Sequence, residues 1–87
     1  RIQAECDLHG LTQPEAKLAL STFFQECRWR RIRCVRIIHG KGLGSLHKQP
    51  ILKLKVDRWL RQRREVLAFC AAPPHDGGQG ALYVLME

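Results

Sequence analysis

Residues 7–27, DLHGLTQPEAKLALSTFFQEC, change period partway through, and that change decides the fold. Up to this point the chain alternates. Ile2, Ala4, Cys6 and Leu8 fall on one side and Gln3, Glu5, Asp7 and His9 on the other, as in a half-buried strand with a polar face. Beyond it, Ala16, Ala19, Leu20, Phe23, Phe24 and Cys27 recur at helical spacing, which predicts a helix ending near Arg28 to Arg30. The junction carries its own signals. Thr12 can cap the helix, Glu15 can complete a capping box, and Pro14 is tolerated in the first turn. A strand that runs straight into a helix is the first half of a β-α-β unit.

The second half follows. Residues 32–38, IRCVRII, are rich in β-branched side chains and predict a strand. HGKGLGS at 39–45 has three glycines and predicts a loop. Pro50 opens a second helix, with Leu52, Val56, Trp59 and Leu60 as its apolar stripe. VLAFCA at 66–71 is a third strand, PPHDGGQG at 73–80 a loop, and ALYVLM at 81–86 a fourth strand, apolar throughout and so expected at the centre of the sheet. The order is β-α-β-α-β-β. Strand–helix–strand connections imply parallel neighbours with right-handed crossovers. The last connection is too short for a crossover, so the fourth strand should run antiparallel to the third. The expected fold is α/β, an α+β two-layer sandwich: a mixed four-stranded sheet with both helices packed on it, as a single domain over residues 1–87.

Composition narrows the partners. The formal charge is +7, from 15 Lys and Arg against 8 Asp and Glu, and it is uneven: RWRRIRCVR (28–36) holds five arginines and no acid, and KLKVDRWLRQRR (53–64) holds six basic residues and one acid. Two such clusters favour a polyanion, with nucleic acid the leading candidate, against the plainer reading of a solvated basic surface. No apolar run approaches membrane-span length, so no membrane partner is expected. The cysteines at 6, 27, 34 and 70 form no C-x-x-C pair. They are expected as buried thiols in a reducing, cytoplasmic compartment rather than as a zinc knuckle or a disulfide framework.

If strands one to three are parallel, their C-terminal ends share one edge of the sheet, the edge where α/β folds place ligands. The segments leaving those ends are DLHG (7–10), HGKG (39–42) and PPHDGGQG (73–80), which carry three of the four histidines and six of the seven glycines. Asp7 and His9 should lie on the same side of the first strand, about 7 Å apart if it stays extended.

These motifs resemble the small MutS-related (Smr) domain family: DLHGLT-x-x-EA leading into a helix, HGKG after the second strand, and GGQGA (77–81) before the last. The resemblance spans nearly the whole chain, and HGKGLGSLHKQP looks most like bacterial stand-alone members. It implies a compact two-layer fold similar to the C-terminal domain of a bacterial translation initiation factor. It also implies nucleic-acid binding and endonuclease activity: some relatives nick DNA, and others cleave messenger RNA at stalled or collided ribosomes. Stand-alone relatives carry an N-terminal extension, which fits a chain that opens on Arg1 as a fragment of a longer protein. An arginine often follows the leucine after the glycine loop in such members; His47 stands there here, a departure at the position from which such members usually contact phosphate.

The family's functional residues fall on Asp7, His9 and Gly10 and on His39, Gly40 and Gly42. The chemistry agrees. Metal-free RNA cleavage needs a base for the ribose 2′-OH and an acid for the departing oxygen, and histidine serves as either near neutrality. His9 and His39 are the candidates, in either assignment, with Asp7 to orient one of them or to favour its charged form. Gly10, Gly40 and Gly42, with Gly77, Gly78 and Gly80, would let backbone N–H groups approach a phosphate, and Lys41 would add a positive charge. No metal site and no cofactor are expected, a divalent metal for DNA nicking being the exception, and the ribosome is the expected assembly partner. Plainer roles stand beside these. Asp7 can brace its loop, His39 can be a turn residue, and Gly77 and Gly78 can serve only a turn that needs positive φ. His47 and His75 read as ordinary loop residues, and Trp29 and Trp59 as packing residues. A nucleic-acid or ribosome-binding module without chemistry is the rival function, and metal-assisted hydrolysis through the same three side chains is the third.

Overall fold

The computed structural model describes residues 1–41 and 51–87, so Gly42, His47 and Pro50 lie outside the described residues. Four strands and two helices follow in the expected order: β1 (Ala4–Asp7), α1 (Gln13–Trp29), β2 (Cys34–Ile38), α2 (Ile51–Arg61), β3 (Val66–Ala71) and β4 (Ala81–Met86). Two short 3-10 turns, Pro74–Asp76 and Gly78–Gly80, fill the connection between β3 and β4.

Helix α1 starts where the capping box sets it. The Thr12 hydroxyl accepts from the Glu15 N–H at 3.3 Å, and the Glu15 carboxylate accepts from the Thr12 N–H at 2.9 Å. Both hydrogen bonds satisfy donors that the first helical turn leaves without partners. The helix ends in a Schellman motif: the Ile32 N–H donates to the Cys27 carbonyl at 2.9 Å and the Arg31 N–H to the Arg28 carbonyl at 3.2 Å. The position between them needs a left-handed backbone, and Arg31 occupies it at φ 58°. Glycine usually fills that position, and a side chain there costs on the order of 1 kcal/mol.

The sheet order is β1-β2-β4-β3. β1 and β2 pair in parallel, and β4 runs antiparallel to β2 on one side and to β3 on the other. The mixed sheet and the central place of β4 are both as expected, but β2 and β3, expected as parallel neighbours, run parallel with β4 paired between them. Registry explains the layers. Val35 and Ile37 sit opposite Val84 and Leu82, and with Cys6 they face the helices. There they form one core with Leu8, Leu20, Phe24, Cys27, Val56, Leu60 and Met86. The alternate row, Glu5, Arg36, Tyr83 and Cys70, lies on the other face, which no helix covers.

That open face corrects one expectation, and the end of α1 corrects another. Cys6 and Cys27 are buried, and burial pushes the Cys6 thiol up to about 11, but Cys34 is half-buried and Cys70 exposed because they point outward from β2 and β3. An apolar run does not reveal which side lacks a second layer. Trp59 packs against the core, whereas Trp29, the last residue of α1, is 85% exposed. The helix stripe ends at Cys27, so two residues further the indole has turned to the solvent side.

Candidate active site

The parallel arrangement of β1, β2 and β3 brings DLHG, the start of HGKG and PPHDGGQG to one edge. β1 ends at Asp7, and the chain then turns: the Leu11 N–H donates to the Leu8 carbonyl at 3.1 Å, with Gly10 at φ 81° in the third position, where a turn of this kind needs positive φ. The turn shortens the expected separation of Asp7 and His9. The Asp7 Oδ1 accepts from His9 Nδ1 at 2.5 Å and from the His9 N–H at 3.1 Å. Those hydrogen bonds hold the Asp7 carboxyl below its usual range, chiefly through the His9 ring. With Nδ1 facing the carboxylate, the outer nitrogen Nε2 is left for solvent or a substrate, and the His9 side chain is 66% exposed.

Gly40 is pressed against this pair. It adopts φ 86°, and a methyl there would sit 3.2 Å from the His9 Cβ. The third loop closes on the same point: the Gly80 carbonyl accepts from both the His39 and Gly40 N–H groups at 3.0 Å. A methyl on Gly80 would meet the Lys41 Cγ at 3.3 Å, so the exposed lysine runs alongside Gly80. Asp7, His9, Gly40, Lys41 and Gly80 therefore form one constellation from three loops.

His39 stands differently from His9. It continues the inward parity of Val35 and Ile37 and is only 3% exposed. Burial pushes its pKa below the ordinary value, the hydrogen bond to the Gly40 carbonyl opposes that, and the charge of Lys53 on α2 adds to the lowering. The ring is therefore neutral near neutrality. Its Nδ1 lies 2.7 Å from the Gly40 carbonyl and so carries the proton, and the buried Nε2 has no hydrogen-bond partner among the described residues. A buried ring nitrogen without a partner is uncommon.

Gly40 and Gly80 supply close approach, and three of the glycine N–H groups expected to meet a phosphate are already engaged. The N–H groups of Gly40, Gly78 and Gly80 are already donated to the carbonyls of Gly80, Pro73 and Gly77. Gly77 and Gly78 both have positive φ, at 116° and 52°. A methyl on Gly77 would lie 2.6 Å from the Ala81 Cβ, so turn geometry and packing account for that glycine. His75 is exposed in the first 3-10 turn.

Sequence reasoning missed the clamp that seats this loop. Arg36 donates to Glu5 on one side and on the other to the Asp76 carboxylate at 2.5 Å and the Asp76 carbonyl at 3.0 Å. Tyr83 donates to the second Asp76 oxygen. The turn carrying Gly77 to Gly80 is thereby tied to β2 and β4. The available signal was Arg36 itself, the one charge in CVRII, at outward parity. Among the described residues no group of three or more His, Cys, Asp or Glu side chains is arranged to hold a metal ion.

Comparison with known proteins agrees with the geometry. The model of the Smr domain matches residues 6–87. A ribosome rescue factor SmrB from Tolumonas auensis is 43% identical over 81 residues, covering 93% of this chain and 43% of the relative. The chain thus spans under half the length of that curated relative. Among solved structures, the Smr domain of Thermus thermophilus MutS2 is 34% identical with a TM-score of 0.85, covering 98% of this chain and 99% of that one. YdaL, a stand-alone small MutS-related protein from Escherichia coli, is 33% identical with a TM-score of 0.87, covering 98% of this chain and 68% of that one.

Proposed function

The chain belongs to the Smr domain family, and from that premise we propose that it is a nucleic-acid endonuclease with a preference for RNA, cutting messenger RNA at stalled or collided ribosomes. The observation that carries the chemistry is the Asp7–His9 pair, joined at 2.5 Å and set against the backbone of Gly40. A carboxylate that fixes one imidazole nitrogen and leaves the other exposed is the arrangement of a positioned general base. The ribosomal setting draws on the relative named as a ribosome rescue factor. A cytoplasmic location follows from that setting, and among the described residues no helix is long and apolar enough to cross a membrane.

In this mechanism His9 Nε2 takes the proton of a ribose 2′-OH as O2′ attacks the adjacent phosphorus. The P–O5′ bond breaks and O5′ takes a proton from water, leaving a 2′,3′-cyclic phosphate and a 5′-hydroxyl. Asp7 holds the His9 tautomer. Lys41 offsets charge that develops on the phosphoryl oxygens. His39, buried beneath Gly40 and hydrogen-bonded to its carbonyl, holds the second loop in place rather than meeting the nucleic acid itself. The basic clusters supply salt-sensitive, largely sequence-independent affinity.

The test compares the protein with His9→Ala and His39→Gln on labelled single-stranded RNA, structured RNA and supercoiled DNA, with and without chelator. Cleavage of RNA that is lost in His9→Ala and blocked by one 2′-deoxy substitution at the cut site supports the mechanism. Binding without cleavage of any substrate would replace it with a binding module, and cleavage abolished by chelator would replace it with a metal-assisted route.

A further inference from the structure

The sheet edge opposite the histidines carries a second feature that cleavage does not use. Trp29, 85% exposed, closes α1, and Arg28, Arg30, Arg31 and Arg33 around it are all exposed. Among the described residues none of these four guanidinium groups forms an ion pair, whereas Arg36, Arg61 and Arg63 each hold a carboxylate. Arg31 adds an independent sign. It takes the left-handed position of the helix-ending motif at φ 58°, where glycine would be unstrained. Among the described residues the Arg31 guanidinium forms no ion pair that would offset the strain, and strain kept at a surface position points to use of that side chain.

We infer that this end of the sheet is a second nucleic-acid contact, separate from the cutting edge, where an unpaired base stacks on Trp29 and the arginines hold the flanking phosphates. The indole distinguishes nucleic acid from other polyanions: an acidic peptide matches the charge but has no use for a flat exposed ring, whereas single strands stack bases on such rings. β2 separates the two edges. Six residue steps from Arg33 to His39, at about 3.3 Å each, span roughly 20 Å. A stacked strand rising about 3.4 Å per nucleotide needs about six nucleotides to reach from one site to the other. The patch thus grips the strand well away from the scissile bond, and it rests on the nucleic-acid part of the function proposed above.

The test measures affinity by fluorescence anisotropy for labelled single-stranded RNAs of about four and about twenty nucleotides, lengths chosen to fall short of and to exceed that span. It compares the parent chain with Trp29→Ala and Arg31→Gly across a salt series. For the longer strand, Trp29→Ala should weaken binding at least about 5-fold, the low end for loss of one stacked base. Arg31→Gly should lower the slope of log affinity against log salt by about 0.7, one phosphate contact on a single strand. Its melting temperature should equal or exceed that of the parent, which separates lost binding from lost folding. The parent should bind the short strand, which cannot span both sites, more weakly than the long one, and either substitution should narrow that gap. No binding of the long strand by the parent at low salt would overturn the nucleic-acid reading itself. Parent binding that both substitutions leave unchanged would overturn this inference alone. Equal Trp29-dependent affinity for polyglutamate would also overturn it, by showing a protein-binding surface.

Discussion

Replacing Gly40 with alanine tests whether the second loop positions His9. Two effects follow from the structure, and they fall on different observables. The backbone at φ 86° admits alanine at about 1 kcal/mol. A domain of this size has roughly 4–13 kcal/mol of stability, so the variant stays folded with a melting temperature lower by about 4–8 °C. The new methyl would lie 3.2 Å from the His9 Cβ. Carbon atoms in contact prefer about 3.5–4.0 Å, so His9 must give way by several tenths of an ångström. A 1 Å misplacement of a catalytic group costs about a hundredfold in rate, so a shift of about half that predicts close to a tenfold fall in single-turnover RNA cleavage. Gly78→Ala isolates the backbone effect: Gly78 also has positive φ, at 52°, but a methyl there meets nothing within 4 Å, and its N–H is already donated to Pro73. It should melt about as low as Gly40→Ala and cleave at the parent rate. The His9 ring resonances should move in Gly40→Ala and not in Gly78→Ala. Parent-like cleavage and unshifted His9 resonances in Gly40→Ala would refute the positioning argument. Equal rate losses in the two variants would instead return Gly78 to a phosphate-binding role.

Three further outcomes follow from named contacts. Thr12→Ala removes the hydroxyl that accepts from the Glu15 N–H, and denaturant titration should show a loss of about 1 kcal/mol with cleavage unchanged. Arg36→Ala frees Asp76 and the turn behind it, so native-state hydrogen exchange should speed up at the His39 and Gly40 N–H groups, which donate to the Gly80 carbonyl; unchanged exchange there would show that the turn holds without the clamp. His39 has a folded pKa below its ordinary 6.5 because it is buried, so the unfolded chain binds the extra proton first as pH falls. Stability should therefore be full above about 6.5, decline below it until the folded pKa is passed, and decline less steeply in His39→Gln.

How much of this was legible in the sequence depends on whether the information is local. The capping box, the helix stripe and the strand periods are statements about neighbours along the chain, and the element order follows from them almost residue for residue. Even the gathering of the three loops was legible, because parallel strands must leave their loops on one edge. What could not be read was which face each side chain takes once that edge is built. His9 and His39 look alike in DLHG and HGKG, yet β1 ends before His9, which turns outward onto Asp7, whereas His39 keeps the inward parity of β2 and is buried. The same gap misplaced Cys34 and Cys70, since an apolar neighbourhood in sequence does not say whether a second layer covers it. Arg36 is the clearest case. Its partners Glu5 and Asp76, and Tyr83, which donates to the same Asp76, come from three other parts of the chain, so the clamp exists only after β1, β2 and β4 have paired. The candidate site at this edge thus depends on the motifs for its groups, and on long-range pairing for the difference between two otherwise similar imidazoles.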